Sequence, residues 1–215
     1  DGMKFKERFN FWMPVKGKAD FMFVQHMVAS LNNTGRMAVV MPHGVLFRGG
    51  EERKFREWLV GRGCLEAAIG LPPALFYGTG IPASVIVINK KDAHLRDKVL
   101  FINADREYKE GKNQNKLRPE DIEKITFVYR SKQQIAKYSK LVSKEELAAE
   151  EYNFNIRRFV DNAPPAEPHD VHAHLQGGIP EGEVSALNDW FACYNGLRDK
   201  LFAHFKDGYL KFTDT

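Results

Sequence analysis

A chain of 215 residues that is 43% apolar and 12% aromatic can bury a real core, which excludes wholesale disorder and leaves room for one domain with an appendage or for two small ones. The 32 Lys and Arg against 28 Asp and Glu leave +4, a surplus that permits a polyanionic partner without requiring one. The two cysteines, Cys64 and Cys193, supply neither a disulfide framework nor a Cys-only zinc site and suit a reducing compartment such as the cytoplasm.

Residues 1–18 mix Lys4, Lys6, Arg8, Lys16 and Lys18 with aromatics, lack the apolar centre of a signal peptide, and read as an exposed segment entering the first helix. From Asp20, an expected N-cap, Phe21, Val24, Met27, Val28 and Leu31 recur at helical spacing until Asn32-Asn33-Thr34-Gly35 stops the helix. Residues 36–41 read as a buried strand of a parallel sheet. Residues 51–60 return to helical spacing, with Phe55, Trp58 and Leu59 inward and Glu52, Arg53, Lys54 and Glu57 outward. Residues 65–70, 85–88 and 99–102 follow as three more strands. No apolar run approaches the roughly 20 residues of a membrane span. The pattern implies an α/β layer structure, but a lopsided one: it reads as the second half of a sheet whose first half is missing.

Beyond residue 104 the character changes. Residues 108–116 are polar and basic and read as a mobile loop. Pro119 with Glu120, Asp121 and Glu123 opens a short helix, and Ser143-Lys144-Glu145-Glu146 is a capping box that opens another. Residues 162–168 are a Pro-rich linker. Residues 183–205 predict one long helix, with Leu187, Trp190, Phe191, Tyr194, Leu197, Leu201 and Phe205 on a side that needs a partner. The chain therefore divides into an α/β part at 1–104, a loop with short helices at 105–161, a Pro/His-rich linker at 162–182 and a helical tail at 183–215.

The chemistry points to residues 71–84, which join the second and third strands and are too aromatic for an idle loop. If strands 36–41 and 65–70 run the same way, both end on one carboxyl edge, outside which open α/β sheets bind ligands. The loop then overhangs that crevice beside Pro42-His43-Gly44. Its glycines allow close backbone approach, and Phe76 or Tyr77 offers a flat ring to a planar ligand. The competing reading makes Phe76 a core plug and Gly78-Thr79-Gly80 a simple turn.

Residues 35–47 and 69–84, continued by Val99-Leu100-Phe101-Ile102-Asn103-Ala104 and by 151–159 (Glu-Tyr-Asn-Phe-Asn-Ile-Arg-Arg-Phe), closely resemble the modification subunit of type I restriction–modification systems. The resemblance covers roughly residues 19–160, with several motifs in the family's order. It implies an N6-adenine DNA methyltransferase using S-adenosylmethionine, with the second half of a class I, Rossmann-like methyltransferase sheet followed by a mainly helical C-terminal region. It also implies DNA, a specificity subunit and a second modification subunit as partners, with the restriction subunit as a further candidate. The family's donor motif and its Asn-Pro-Pro-aromatic motif precede the first helix and are not found here. The two Pro-Pro pairs, Pro72-Pro73 and Pro164-Pro165, follow Leu71 and Ala163 instead of Asn. Without them the chain is expected to be inactive alone, as the carboxyl-terminal part of such a subunit. Its first residue, Asp1, reads as a removed start or as a piece of something longer.

A target adenine must leave the duplex to be reached, and flipped bases are held by stacking. In related enzymes the Phe matching Phe76 packs on that base. The expected nucleic-acid contacts are therefore Phe76, with Tyr77 as second choice, and the neighbouring Gly78, Thr79 and Gly80. Lys109, Lys112, Lys116 and Arg118, like the basic residues before position 19, suit either phosphate contact or a solvated surface. His169, His172 and His174 are dense enough to notice, but a loop after a Pro-rich linker lacks the framework of a metal site. His43 is read as a packing or hydrogen-bonding residue, not a general base. The rival reading is a non-catalytic DNA- or partner-binding module that never had the donor site.

Overall fold

The computed structural model describes residues 6–9, 19–164 and 169–213; Lys4, Lys16, Lys18 and the linker residues 165–168 lie outside the described residues. The chain forms two compact units, Asp1–Asn162 and Ala163–Thr215.

The first unit contains α1 (Asp20–Ser30), β1 (Arg36–Pro42), α2 (Glu51–Gly61), β2 (Leu65–Gly70), β3 (Ala83–Asn89), β4 (Lys98–Asn103), α3 (Pro119–Ser131), β5 (Ser139–Ser143), α4 (Lys144–Ala149) and α5 (Ile156–Phe159). Its five strands pair in the order β1-β3-β2-β4-β5. β3 is antiparallel to both β1 and β2, β2 is parallel to β4, and β5 is antiparallel to β4. β1, β2 and β4 therefore point the same way, and their carboxyl ends share one edge with the starts of β3 and β5. The segment expected to follow the sheet, 105–161, supplies β5 to it, because Val142 and Leu141 complete the two apolar layers.

Two cores flank the sheet. On one face Phe21 and Val24 of α1, Phe55 and Leu59 of α2, and Leu147, Phe154 and Ile156 pack on Ala68, Ile86, Ile88 and Phe101. On the other, Val128 of α3 and Tyr138 cover Ala67, Ile69, Val87, Leu100 and Ile102. β2 is buried along its whole length. β1 corrects the expectation of a buried strand in a parallel ladder. Among the described residues it pairs with β3 only and is antiparallel to it. Met37, Val39 and Met41 face the first core, while Ala38, Val40 and Pro42 are exposed.

Local signals explain the element ends. α2 stops where Gly63, at φ +64, takes the left-handed turn and the amides of Gly63 and Cys64 return to the carbonyls of Val60 and Leu59. Ser143 and Glu146 exchange the two hydrogen bonds of a capping box at α4. Asp20 is not the N-cap expected of it. It lies in the first turn of α1, where its carboxylate accepts from Arg48 at 2.8 Å.

Glu52, expected outward, is buried because it belongs to a charged chain beneath α2. Arg48 bridges Asp20 and Glu52, and Arg56, only 1% exposed, donates to the carbonyls of Tyr152 (2.7 Å), Val45 (2.9 Å) and Arg48 (2.7 Å). Burial pushes the Arg56 guanidinium down to about 10, against the pull of Glu52, so it remains charged at neutral pH.

The second unit corrects the long helix. Residues 171–213 hold α6 (Val171–Gln176), β6 (Ile179–Pro180), α7 (Glu181–Ser185), α8 (Asn188–Ala192), α9 (Leu197–Leu201), β7 (Phe202–Lys206) and β8 (Tyr209–Phe212). The strands form an antiparallel sheet in the order β6-β8-β7. The helical pattern runs on through 205, but Asn195-Gly196 interrupts it. Asp207-Gly208, with Gly208 at φ +76, is a hairpin turn that recruits 202–206 as a strand. The linker reading is also shortened, since Asp170 caps α6 by accepting from the Ala173 amide at 2.9 Å.

Candidate functional site

The carboxyl edge of the first unit's sheet is built from the ends of β1, β2 and β4, the start of β3, and the 71–82 loop between β2 and β3. Leu71 and Pro72 are buried at the sheet end, and from there the loop climbs outward. Ala74 sits at φ +53, a strained conformation for a residue with a Cβ, and is held there from outside. The Asn115 amide donates to the Ala74 carbonyl and its side chain to the Pro73 carbonyl, both at 2.9 Å, and the Gln114 side chain donates to the Leu75 carbonyl. Lys109 and Lys116 pair as an antiparallel bridge, and Asn115 Oδ1 accepts from the Gly111 amide. The segment expected to be a mobile loop is thus a brace under the aromatic one.

The brace delivers Phe76 to an apolar hollow of about 320 Å³ lined by Val40, Met41, Pro42, Phe76, Thr79, Ile81, Pro82 and Ala83. Phe76 is 47% exposed, which rules out the core-plug reading and leaves a ring available at the hollow's rim. Tyr77, at 82% exposure, and Gly78 and Gly80 lie outside its lining, so of the five expected contact residues the structure gathers Phe76 and Thr79 here. Thr79 also accepts from the Ile81 amide at 3.1 Å, closing the turn around the glycines. One wall is the exposed face of β1, so the hollow opens along the sheet's edge strand.

A polar cluster occupies the same edge beside it. Asp105, just after β4, accepts two bonds from Arg157 of α5 at 2.7 and 3.1 Å and one from Asn162 at 2.6 Å. His43, one residue past β1, is half-buried between this cluster and Phe47. Burial pushes its imidazole below the ordinary value; the Asn155 hydrogen bond and Asp105 oppose that shift, and Arg157 adds to it. A neutral His43, tilted against the Phe47 ring at 5.7 Å and hydrogen-bonded with Asn155, fits a packing or hydrogen-bonding role. Asp105 was not legible as a site residue, because its partners are 52 and 57 positions away.

Elsewhere, His172 lies against the Tyr209 ring at 5.5 Å, and the Tyr209 hydroxyl donates to Asp170 at 2.8 Å. Among the described residues no group of three His, Cys, Asp or Glu side chains converges as a metal site would require, and no helix is long and apolar enough to cross a membrane. Cys64 is buried and Cys193 exposed, and both are free.

Comparison with known proteins gives this geometry a context. The family model described as N-6 DNA Methylase matches residues 1–167. The methylase subunit of the MjaVII type I restriction enzyme from Methanocaldococcus jannaschii is 35% identical over 190 residues, covering 86% of this chain and 33% of that protein. The MpnII methylase subunit from Mycoplasma pneumoniae is 33% identical over 154 residues, covering 72% and 28%. The crystal structure of a type I restriction–modification methyltransferase subunit from Streptococcus thermophilus is 41% identical, with a TM-score of 0.69 over 74% of this chain and 34% of that one. The chain thus spans about a third of the length of the curated relatives it matches.

Proposed function

The chain belongs to the N-6 DNA methylase family, and from that premise we propose that it is the carboxyl-terminal portion of the modification subunit of a type I restriction–modification system, acting on adenine N6 in DNA with S-adenosylmethionine as methyl donor. The observation that carries the reading is the hollow at the carboxyl edge. It is apolar, has room for a planar base, is rimmed by the half-exposed Phe76, and opens beside β1, the edge strand of the sheet among the described residues. Phe76 takes the flipped adenine by stacking, with Val40, Pro42 and Ile81 in the lining beside it. The loop that carries Phe76 is anchored from below by the side-chain amides of Gln114 and Asn115.

The residues present do not make a donor pocket. No glycine-rich turn follows a leading strand, and no Asn-Pro-Pro-aromatic motif supplies acceptors for the adenine amino group. No step is therefore assigned to the methyl donor within these 215 residues, and the 215-residue chain alone is inactive in this reading. Residues 1–104 with β5 are the far half of the catalytic sheet. Residues 163–215 are the assembly unit, meeting the specificity subunit or a second modification subunit through Trp190, Tyr194 and Phe212, which are exposed. The protein works in the cytoplasm, on DNA.

The test is the source DNA immediately upstream of the codon for Asp1. The expected result is an open frame running back through an Asn-Pro-Pro-aromatic motif and a glycine-rich strand–turn, and transfer of labelled methyl groups to adenine by the longest chain that frame encodes, with its specificity subunit. A ribosome site and start codon at that point would overturn the reading in favour of a binding module without chemistry.

A further inference from the structure

The edge of the sheet opposite the base hollow carries a second, unlike cavity. It holds about 700 Å³ and is lined by Asn33, Trp58, Arg62, Cys64, Lys90, His94 and Lys144, with Gly61 and Ala93. These residues come from five separate places: the turn after α1, the end of α2, the entry to β2, the exit of β3 and the start of α4. The fold thus brings Arg62, Lys90 and Lys144 to one concave surface although they are distant in sequence.

No carboxylate lines the cavity, and among the described residues none forms an ion pair with Arg62, Lys90 or Lys144. Lys90 spends one donor on the Leu31 carbonyl at 2.7 Å and keeps the others. Arg96, just behind the lining, is committed to the carbonyls of Gly63, Asn89 and Lys91 and adds a fixed positive charge. Glu145, next to Lys144, offsets part of one charge from outside the lining. Like charges gathered in a concavity whose lining holds no carboxylate repel one another and favour an anion that neutralises several at once.

We propose that this cavity binds a free polyphosphate, the di- or triphosphate group of a nucleotide or of inorganic polyphosphate. The volume lies within the roughly 300–1,000 Å³ of small-ligand sites. Three convergent cations match the charge of such a group. A nucleobase gains little here, because the Trp58 ring is already engaged by Phe55, stacked at 5.8 Å, and by the Arg62 guanidinium, also at 5.8 Å. Recognition is therefore of the phosphates and is indifferent to the base. The DNA backbone is disfavoured by position: a duplex lying across the carboxyl edge is a full strand away, about 23 Å for seven residues.

The experiment is calorimetric titration of the 215-residue protein at low salt with tripolyphosphate, ATP, GTP and a duplex of about 20 base pairs. Tripolyphosphate, ATP and GTP are expected to bind within a few-fold of one another. Arg62→Glu and Lys144→Glu should each weaken Kd about tenfold or more, whereas Lys109→Glu, the same charge change outside the cavity, should not. ATP and GTP binding equally but clearly tighter than tripolyphosphate identifies the nucleotide as the source, and equal affinity for all three identifies the phosphate chain alone. Absence of binding, unchanged affinity in both cavity variants, strong preference for one base, or displacement of tripolyphosphate by the duplex would each overturn the proposal.

Discussion

Replacing Arg56 by Met keeps the aliphatic stem and removes the guanidinium, and the structure sets what that costs. Three carbonyls, those of Val45, Arg48 and Tyr152, lose their donor together. A buried group left without its partner costs about 1–3 kcal/mol; two of the three bonds are only part-buried, which places the sum near the low end, at about 3–5 kcal/mol. Glu52 keeps Arg48 at 3.3 Å but loses the attraction of the Arg56 guanidinium, a loss that adds to the same side of the sum. Against a total stability of about 5–15 kcal/mol for a domain, this is a large fraction. With a urea dependence of about 1–3 kcal/mol per molar, the midpoint followed by far-UV circular dichroism should fall by about 2 M. Arg56→Lys should recover only part of the loss, since one ammonium cannot reach three diverging carbonyls at once. A shift below about 0.5 M (under about 1 kcal/mol at that slope), or full rescue by Lys, would refute the claim that Arg56 clamps α2 to the 45–48 turn and to residue 152.

Asn115→Ala removes the bonds to the Pro73 carbonyl and from the Gly111 amide, and should cost about 2–3 kcal/mol in urea unfolding while speeding protease cleavage within 71–82; unchanged cleavage would mean the brace does not hold the aromatic loop. In the longest chain the upstream frame encodes, Phe76→Ala should weaken capture of the target adenine about 5- to 150-fold, the roughly 1–3 kcal/mol of one base–aromatic stack, read from fluorescence of 2-aminopurine at the target position. Tyr77→Ala should change it less than Phe76→Ala, and the reverse order would move the contact to Tyr77. The His43 imidazole titrates below its ordinary value near 6.5. Its contribution to stability is therefore complete above that pH and is lost as pH falls toward the folded value, because the unfolded chain takes up the proton first. The urea midpoint of the wild type should drop more between about pH 7.5 and about pH 5.5 than that of His43→Gln, and parallel curves would remove His43 from the account.

Much of the first unit's fold is legible in the sequence because local and tertiary preferences agree there. β2 is apolar throughout most of its length and lies in the middle of the sheet, buried on both faces. α2 and α4 carry their own stop and start signals in Gly63 and in Ser143 with Glu146. Failures follow where a pattern has two solutions. Residues 36–41 are apolar enough for a central strand, and only the pairing partner decides that Val40 and Ala38 stay exposed. Residues 183–205 satisfy helical spacing over about six turns, yet the Asp207-Gly208 turn that follows makes strand pairing of 202–206 with 209–212 available, and the hairpin wins. That dipeptide is itself a strong hairpin signal, so the information was present but outweighed by a longer periodic run.

The site shows the same division in sharper form. Phe76 stands out in sequence because an aromatic, glycine-flanked loop after a strand has few structural uses, and the structure puts its ring at the rim of the hollow, half-exposed. What holds it there has no sequence signature of its own. Gln114 and Asn115 sit in a polar run that composition alone assigns to solvent, yet their side chains end on carbonyls 39 and 42 residues earlier. Arg157 and Asp105 likewise become a pair only through the register of β4 and the packing of α5. Side chains that would touch a ligand are recognisable by type; side chains that position them act across long sequence separations. The strain at Ala74 follows from this, since a backbone held against its own preference needs an external partner, and the Asn115 amide bonded to its carbonyl is that partner.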